Sequence, residues 1–127
     1  MRMKPVWALF LAIYLLASPA GAQTIRTDYP ACDLMAQHEL VGTVGAEIMD
    51  PQQAHIAERA NILQADIGTA RKARRISSQR LADRLWRKVE AIRTNANPLK
   101  RNQAFLGAAE RASYDRQLDS IAGTLCR

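Results

Sequence analysis

Beyond residue 50, apolar residues return every three or four positions, and polar ones fill the gaps. Ile56, Ala60, Leu63, Ile67 and Ala70 recur at spacings of 4, 3, 4 and 3, the signature of one buried helix face. Asp50 stands before them as a side-chain cap. Pro51 takes the first helical position, where its missing N–H costs nothing, and Gln53 sits where a capping box wants Glu or Gln. The spacing predicts a helix from 51 to about 74. A second stripe, Leu81, Leu85, Val89 and Ile92, predicts a helix capped by Ser77, with Ile76 and Leu81 as a hydrophobic staple, ending near Thr94 before the breaker stretch NANP. A third, Tyr114, Leu118, Ile121 and Leu125, predicts a helix from about Ala108.

Residues 32–50, CDLMAQHELVGTVGAEIMD, are read as a further helix on the sevenfold spacing of Leu34, Val41 and Ile48, bent near Gly42 and Gly45. VGTVG lacks the Lys-Ser/Thr and the preceding strand of a phosphate loop, so close helix packing is the better use of its glycines. The expected fold is all-α: an antiparallel bundle of three to four helices that buries one stripe from each.

The first 22 residues pattern differently. Arg2 and Lys4 precede an apolar run over residues 6–17, which is followed by the small residues Ala20-Gly21-Ala22. That is the layout of a secretory signal peptide cleaved after Ala22. A run of this length rises only ~18 Å as a helix, short of a bilayer core of ~30 Å, so no transmembrane segment is expected after cleavage. Residues 23–127 then form one domain located in the periplasm or secreted. Export changes the reading of the two cysteines. Cys32 and Cys126 lack a Cys-x-x-Cys spacing or nearby ligands, so a structural disulfide tying the two ends together is expected.

Charge is unevenly spread. The chain carries 18 Lys or Arg against 12 Asp or Glu. Within residues 71–93 stand Arg71, Lys72, Arg74, Arg75, Arg80, Arg84, Arg87 and Lys88, the candidate binding residues. At 100° per residue, Arg80, Arg84, Arg87 and Lys88 lie opposite the Leu81–Ile92 stripe. The wet face of an amphipathic helix explains their placement but not their sign. Arg80–Arg84 and Arg84–Lys88 are like-charge pairs at i,i+4, and Arg80 occupies a first turn, the wrong end for a cation. The surplus serves either an internal contact with acids of the first half, such as Glu39, Glu47 and Glu58, or an external one with an acidic protein or an anionic envelope surface. Nucleic acid is disfavoured, since Trp86 is the one aromatic in the stretch; a packing role is expected for that ring.

His38 and His55 belong to no spaced metal motif or nucleophile signature, and read as isolated, solvated or partly buried residues; no catalytic residue, metal or cofactor is expected. Asp115 and Asp119 stand at i,i+4, with Arg111 one turn before Asp115, the spacing of a surface ion pair.

Leu106-Gly107-Ala108-Ala109-Glu110, followed by Tyr114, resembles the Leu-Thr-x-x-Gln helix start of small helical periplasmic stress proteins and chaperones of Gram-negative bacteria, with Gly107 in place of Thr and Glu110 in place of Gln. Ile76-Ser77-Ser78-Gln79-Arg80 is a fainter copy. The resemblance covers about a tenth of the chain. It implies a binding or stress role in the periplasm and assigns no site residues. The combined expectation is a non-enzymatic exported protein that binds a macromolecule or envelope surface through the basic hairpin. The alternative is an inhibitor or immunity-type protein that blocks one enzyme through the loop at 95–107.

Overall fold

The structure, a computed structural model, describes residues 28–127; the expected leader and its cleavage site lie outside them. Four α-helices, α1 (Leu34–His38), α2 (Pro51–Lys72), α3 (Gln79–Asn95) and α4 (Ala108–Leu125), are joined by irregular chain and two short 3-10 turns, at Pro30–Cys32 and Pro98–Arg101. Among the described residues there is no strand, only an isolated bridge between Gly45 and Ile48.

Successive long helices run antiparallel, so α2 and α4 point the same way with α3 opposed to both. The core is the three predicted stripes brought together. Ile56, Ala60, Leu63, Ile67 and Ala70 of α2 meet Leu85, Val89 and Ile92 of α3 and Tyr114, Leu118, Ile121 and Leu125 of α4, all buried. Leu81, expected in the stripe, is only partly covered at the edge of this cluster. Each fully buried Leu or Ile contributes roughly 1.5–3 kcal/mol. Tyr29, Ala31 and Cys32 add the N-terminal segment to the same core. The segment is held there by a bond from the Ala31 amide to Asp66 Oδ2 at 2.9 Å and by a disulfide between Cys32 and Cys126, residues 94 apart in sequence. Burial pushes the Asp66 carboxyl above its ordinary range, against the lowering effect of that amide.

The caps differ from expectation by one position at α3. Ser78, not Ser77, accepts the Leu81 amide with its hydroxyl, because Ser78 has the extended backbone of an N-cap and the helix starts at Gln79. Asp50 caps α2 as expected, accepting the amides of Gln52 and Gln53. Its Oδ2 also accepts the Leu106 amide at 2.9 Å, which fastens the start of α2 to the loop before α4. Gly107 opens α4 with no side chain to cap it; only the return half of a capping box is present, with the Gly107 amide donating to Glu110 Oε1.

Residues 32–50 are not one helix. The helix stops at His38, leaving Leu34 at the surface, Val41 at 90% exposure and Ile48 half-buried. A continuous helix is incompatible with what the glycines do. A Cβ on Gly42 would come within 2.0 Å of the Ala54 carbonyl oxygen, and Gly45 and Ala46 have positive φ angles of 149° and 52°. Gly42 therefore packs closely, as expected, but as loop backbone against the first turn of α2.

Candidate functional site

The eight candidate cations divide into two sets. Arg71 donates to the Ile76 carbonyl, and Arg75 pairs with Asp28 while its guanidinium lies 5.2 Å from the centre of the Tyr29 ring. Arg71 is thus spent on the turn between α2 and α3, and Arg75 ties that turn to the segment at Asp28 and Tyr29. The other six, Lys72, Arg74, Arg80, Arg84, Arg87 and Lys88, are exposed, and none makes a side-chain hydrogen bond or ion pair with another described residue. None of the ion pairs present reaches Glu39, Glu47 or Glu58, the acids considered for an internal contact. The charge surplus thus runs from the end of α2 along the outer face of α3, open to solvent.

Arg74 is the most unusual of the six. α2 closes in a Schellman motif: the Arg75 amide bonds back to the Ala70 carbonyl and the Arg74 amide to that of Arg71. The residue at the left-handed position of this motif is usually glycine, yet here it is Arg74, with φ 59°. Trp86 lies on the flank of α3, 44% exposed rather than packed into the core, because the core-facing arc is filled by Ala82, Leu85 and Val89.

Sequence reading missed the second cluster altogether. Along the α2–α4 seam, His55 (1% exposed) and Arg59 (2% exposed) from α2 face Asp115 and Asp119 from α4. His55 Nε2 lies 2.8 Å from Asp115 Oδ1, Arg59 Nη1 2.7 Å from the same oxygen, and Arg59 Nη2 2.7 Å from Asp119 Oδ1. His38 of α1 closes the chain at the surface, with Nε2 2.7 Å from Asp119 Oδ2. Arg111 sits 3.5 Å from Asp115 Oδ2 and also bonds Gln52 and the His38 carbonyl. Asp115 is therefore a buried hub and not half of a surface pair with Arg111. Burial would raise its carboxyl, but bonds from His55 and Arg59 outweigh that and hold it at about 2. His55 is enclosed and doubly bonded, contrary to its reading as an isolated residue. The i,i+4 spacings of His55/Arg59 and Asp115/Asp119 were available in sequence, but nothing there showed that α2 and α4 run side by side in the same direction.

Neither histidine bonds a Ser, Thr or Cys side chain among the described residues, and no group of three or more His, Cys, Asp or Glu among them is arranged to hold a metal ion.

The 95–107 loop is the third region of interest. It is braced by the Asn97 side chain on the Leu99 amide, the Gln103 amide on the Pro98 carbonyl, and Arg101 on both Glu110 and the Tyr114 hydroxyl. It leaves Leu99 and Phe105 about two-thirds exposed, at 70% and 68%. Beside it an open polar cleft of about 280 Å³ is lined by Asn95, Arg101, Glu110, Ser113, Tyr114 and Gln117.

No family model matches this chain, and neither a curated protein nor a solved structure shows a match to it. Among the described residues no helix is long and apolar enough to cross a membrane.

Proposed function

We propose that this is an exported, non-enzymatic helical protein that binds an acidic protein or an anionic envelope surface through the cationic face formed by Lys72, Arg74, Arg80, Arg84, Arg87 and Lys88. The observation that carries the reading is that these six cations make no side-chain hydrogen bond or ion pair with another described residue, while Arg59 and Arg111 of the α2–α4 seam are paired. A surface cation held in a backbone conformation that favours glycine, as at Arg74, adds to it. Unscreened like charges on one face raise the local potential and steer an anionic partner toward it. Export fits the leader-like pattern of residues 1–22 and the Cys32–Cys126 bond, which persists in an oxidising compartment.

The test replaces Arg80, Arg84, Arg87 and Lys88 together with Gln. Binding to mixed phosphatidylglycerol–phosphatidylcholine vesicles, or to an acidic polypeptide such as polyglutamate, should fall sharply, and wild-type binding should weaken as salt shortens the Debye length to ~8–10 Å. Unchanged binding by a folded variant refutes the reading.

A second reading, inhibition of one enzyme through the 95–107 loop, is favoured by one observation: Leu99 and Phe105 are exposed on a loop braced from both sides. Exposed apolar anchors on a pre-ordered loop lose little entropy on binding. Capture of a single salt-resistant partner, lost in Phe105→Ser, would select it over the first.

A further inference from the structure

We propose that His55 pins residues 38–49 to the bundle as a doubly protonated ring, and that loss of one ring proton as the pH rises releases that segment. The argument rests on hydrogen-bond inventory. A neutral imidazole has one N–H and one bare nitrogen; only the imidazolium donates from both. His55 Nδ1 lies 2.6 Å from the Leu40 carbonyl oxygen, and Nε2 lies 2.8 Å from Asp115 Oδ1. A carbonyl oxygen can only accept. The Asp115 carboxylate accepts as well, since it takes bonds from Arg59 and its carboxyl is held at about 2. Both ring nitrogens therefore face acceptors in an enclosed site, and only the charged ring satisfies both.

The charges around the ring oppose one another. Asp115 and, one turn on, Asp119 face it from α4; Arg59 from its own helix and Arg111 from α4 supply the opposing charge, and His38 of α1 meets Asp119 at the rim. When the ring loses a proton, the Nε2–H facing the anionic carboxylate is the one retained, because a bare nitrogen there would meet negative charge. The Leu40 carbonyl then faces a bare Nδ1 and loses its donor. The held segment binds the extra proton, so the hold is present at low pH and disappears as pH rises through the deprotonation of His55. Its lower limit is the protonation of Asp115.

Among the described residues little else holds this segment. Arg111 bonds the His38 carbonyl, His38 bonds Asp119, and Gly42 rests against Ala54; Leu40 and Ile48 are only half-buried, and Val41, Val44 and Met49 point into solvent. Segments with few buried apolar contacts open at low free-energy cost. The device thus governs how three apolar side chains beside the start of α2 are presented.

The test is NMR on the wild-type protein with labelled histidine, with amide exchange measured in parallel. His55 should show protons on both ring nitrogens. Across the interval in which one is lost, the hydrogen-bonded amides of Leu40, Gly45 and Ile48 should exchange ~10-fold faster or more, as expected for losing a bond to a charged group, after correction for intrinsic exchange. The Val89 amide in α3 should not respond. The same response should persist in His38→Gln, which removes the other imidazole near the segment. The proposal is overturned by a singly protonated His55 throughout the folded range, by flat exchange while the ring titrates, or by loss of the response in His38→Gln. A ring that keeps both protons until the whole bundle unfolds also overturns it, because nothing is then released.

Discussion

The outer face of α3 and the α2–α4 seam are built from the same chemistry and behave as opposites. On α3, Arg80, Arg84, Arg87 and Lys88 are exposed, with no side-chain partner among the described residues. In the seam, Arg59 and His55 are enclosed, and each oxygen they meet is a carboxylate or carbonyl at bonding distance. The difference lies in what the opposite helix brings: no described helix covers the first, while α4 delivers Asp115 and Asp119 to the second. Cations on the open face tune encounter with other molecules and contribute little to folding. Cations in the seam specify how α4 docks, and removing one leaves buried charge behind.

Breaking the seam should give the largest effect. Arg59→Ala strips Asp115 and Asp119 of their shared partner, and chemical denaturation should show a loss of ~3–5 kcal/mol, the cost of an uncompensated buried charge. The Arg59 Nε, buried without a partner, already lowers the net worth of this residue, so a loss below about 1 kcal/mol would mean that the seam is hydrated and no different from the open face. Acid should produce the next largest change. The Asp115 carboxyl is held down at about 2, so its contribution is complete above the ordinary value of 3.8 and is lost as pH falls from there toward 2. A decrease on the order of 2 kcal/mol is expected in stability measured over that range. Arg74→Gly should stabilise by up to ~1 kcal/mol by relieving the left-handed backbone, while weakening vesicle binding. The smallest effect belongs to the open face itself. The fourfold Gln replacement on α3 should change stability by less than ~0.5 kcal/mol in all, since Gln has a helix propensity near that of Arg and like-charge pairs disappear.

This contrast also marks what the sequence could reveal. Three helices, their stripes, the Asp50 cap and the Cys32–Cys126 bond were legible, because each depends on local spacing or on a simple pairing of two residues. The one-residue error at Ser78 came from two adjacent serines, either of which fits a cap; only the backbone angle separates them. The segment at 32–50 failed for a different reason. Leu34, Val41 and Ile48 have helical spacing, but the contact of Gly42 with the Ala54 backbone is set by a helix further along the chain. The seam was hidden most completely. His55 and Asp115 are 60 residues apart, and an Arg at position 59 among buried alanines and isoleucines looks like an exposed residue until the partner helix is placed beside it. Exposure of Arg80, Arg84, Arg87 and Lys88 followed from the helical wheel, but their lack of a partner among the described residues did not.

The Cys32–Cys126 bond has a consequence for the order in which the molecule assembles. It joins residues 94 apart and encloses all three long helices within its ring. Contacts between α2 and α3 span short stretches of chain and close quickly, whereas pairing of the two thiols needs the slowest, most distant encounter in the fold. Oxidation is therefore a seal applied to a nearly finished bundle, not a guide to its formation. In oxidative refolding sampled by pulsed amide exchange, α2 and α3 should be protected before the disulfide is trapped. A chain whose thiols pair first would be searching for its helices from inside a closed loop.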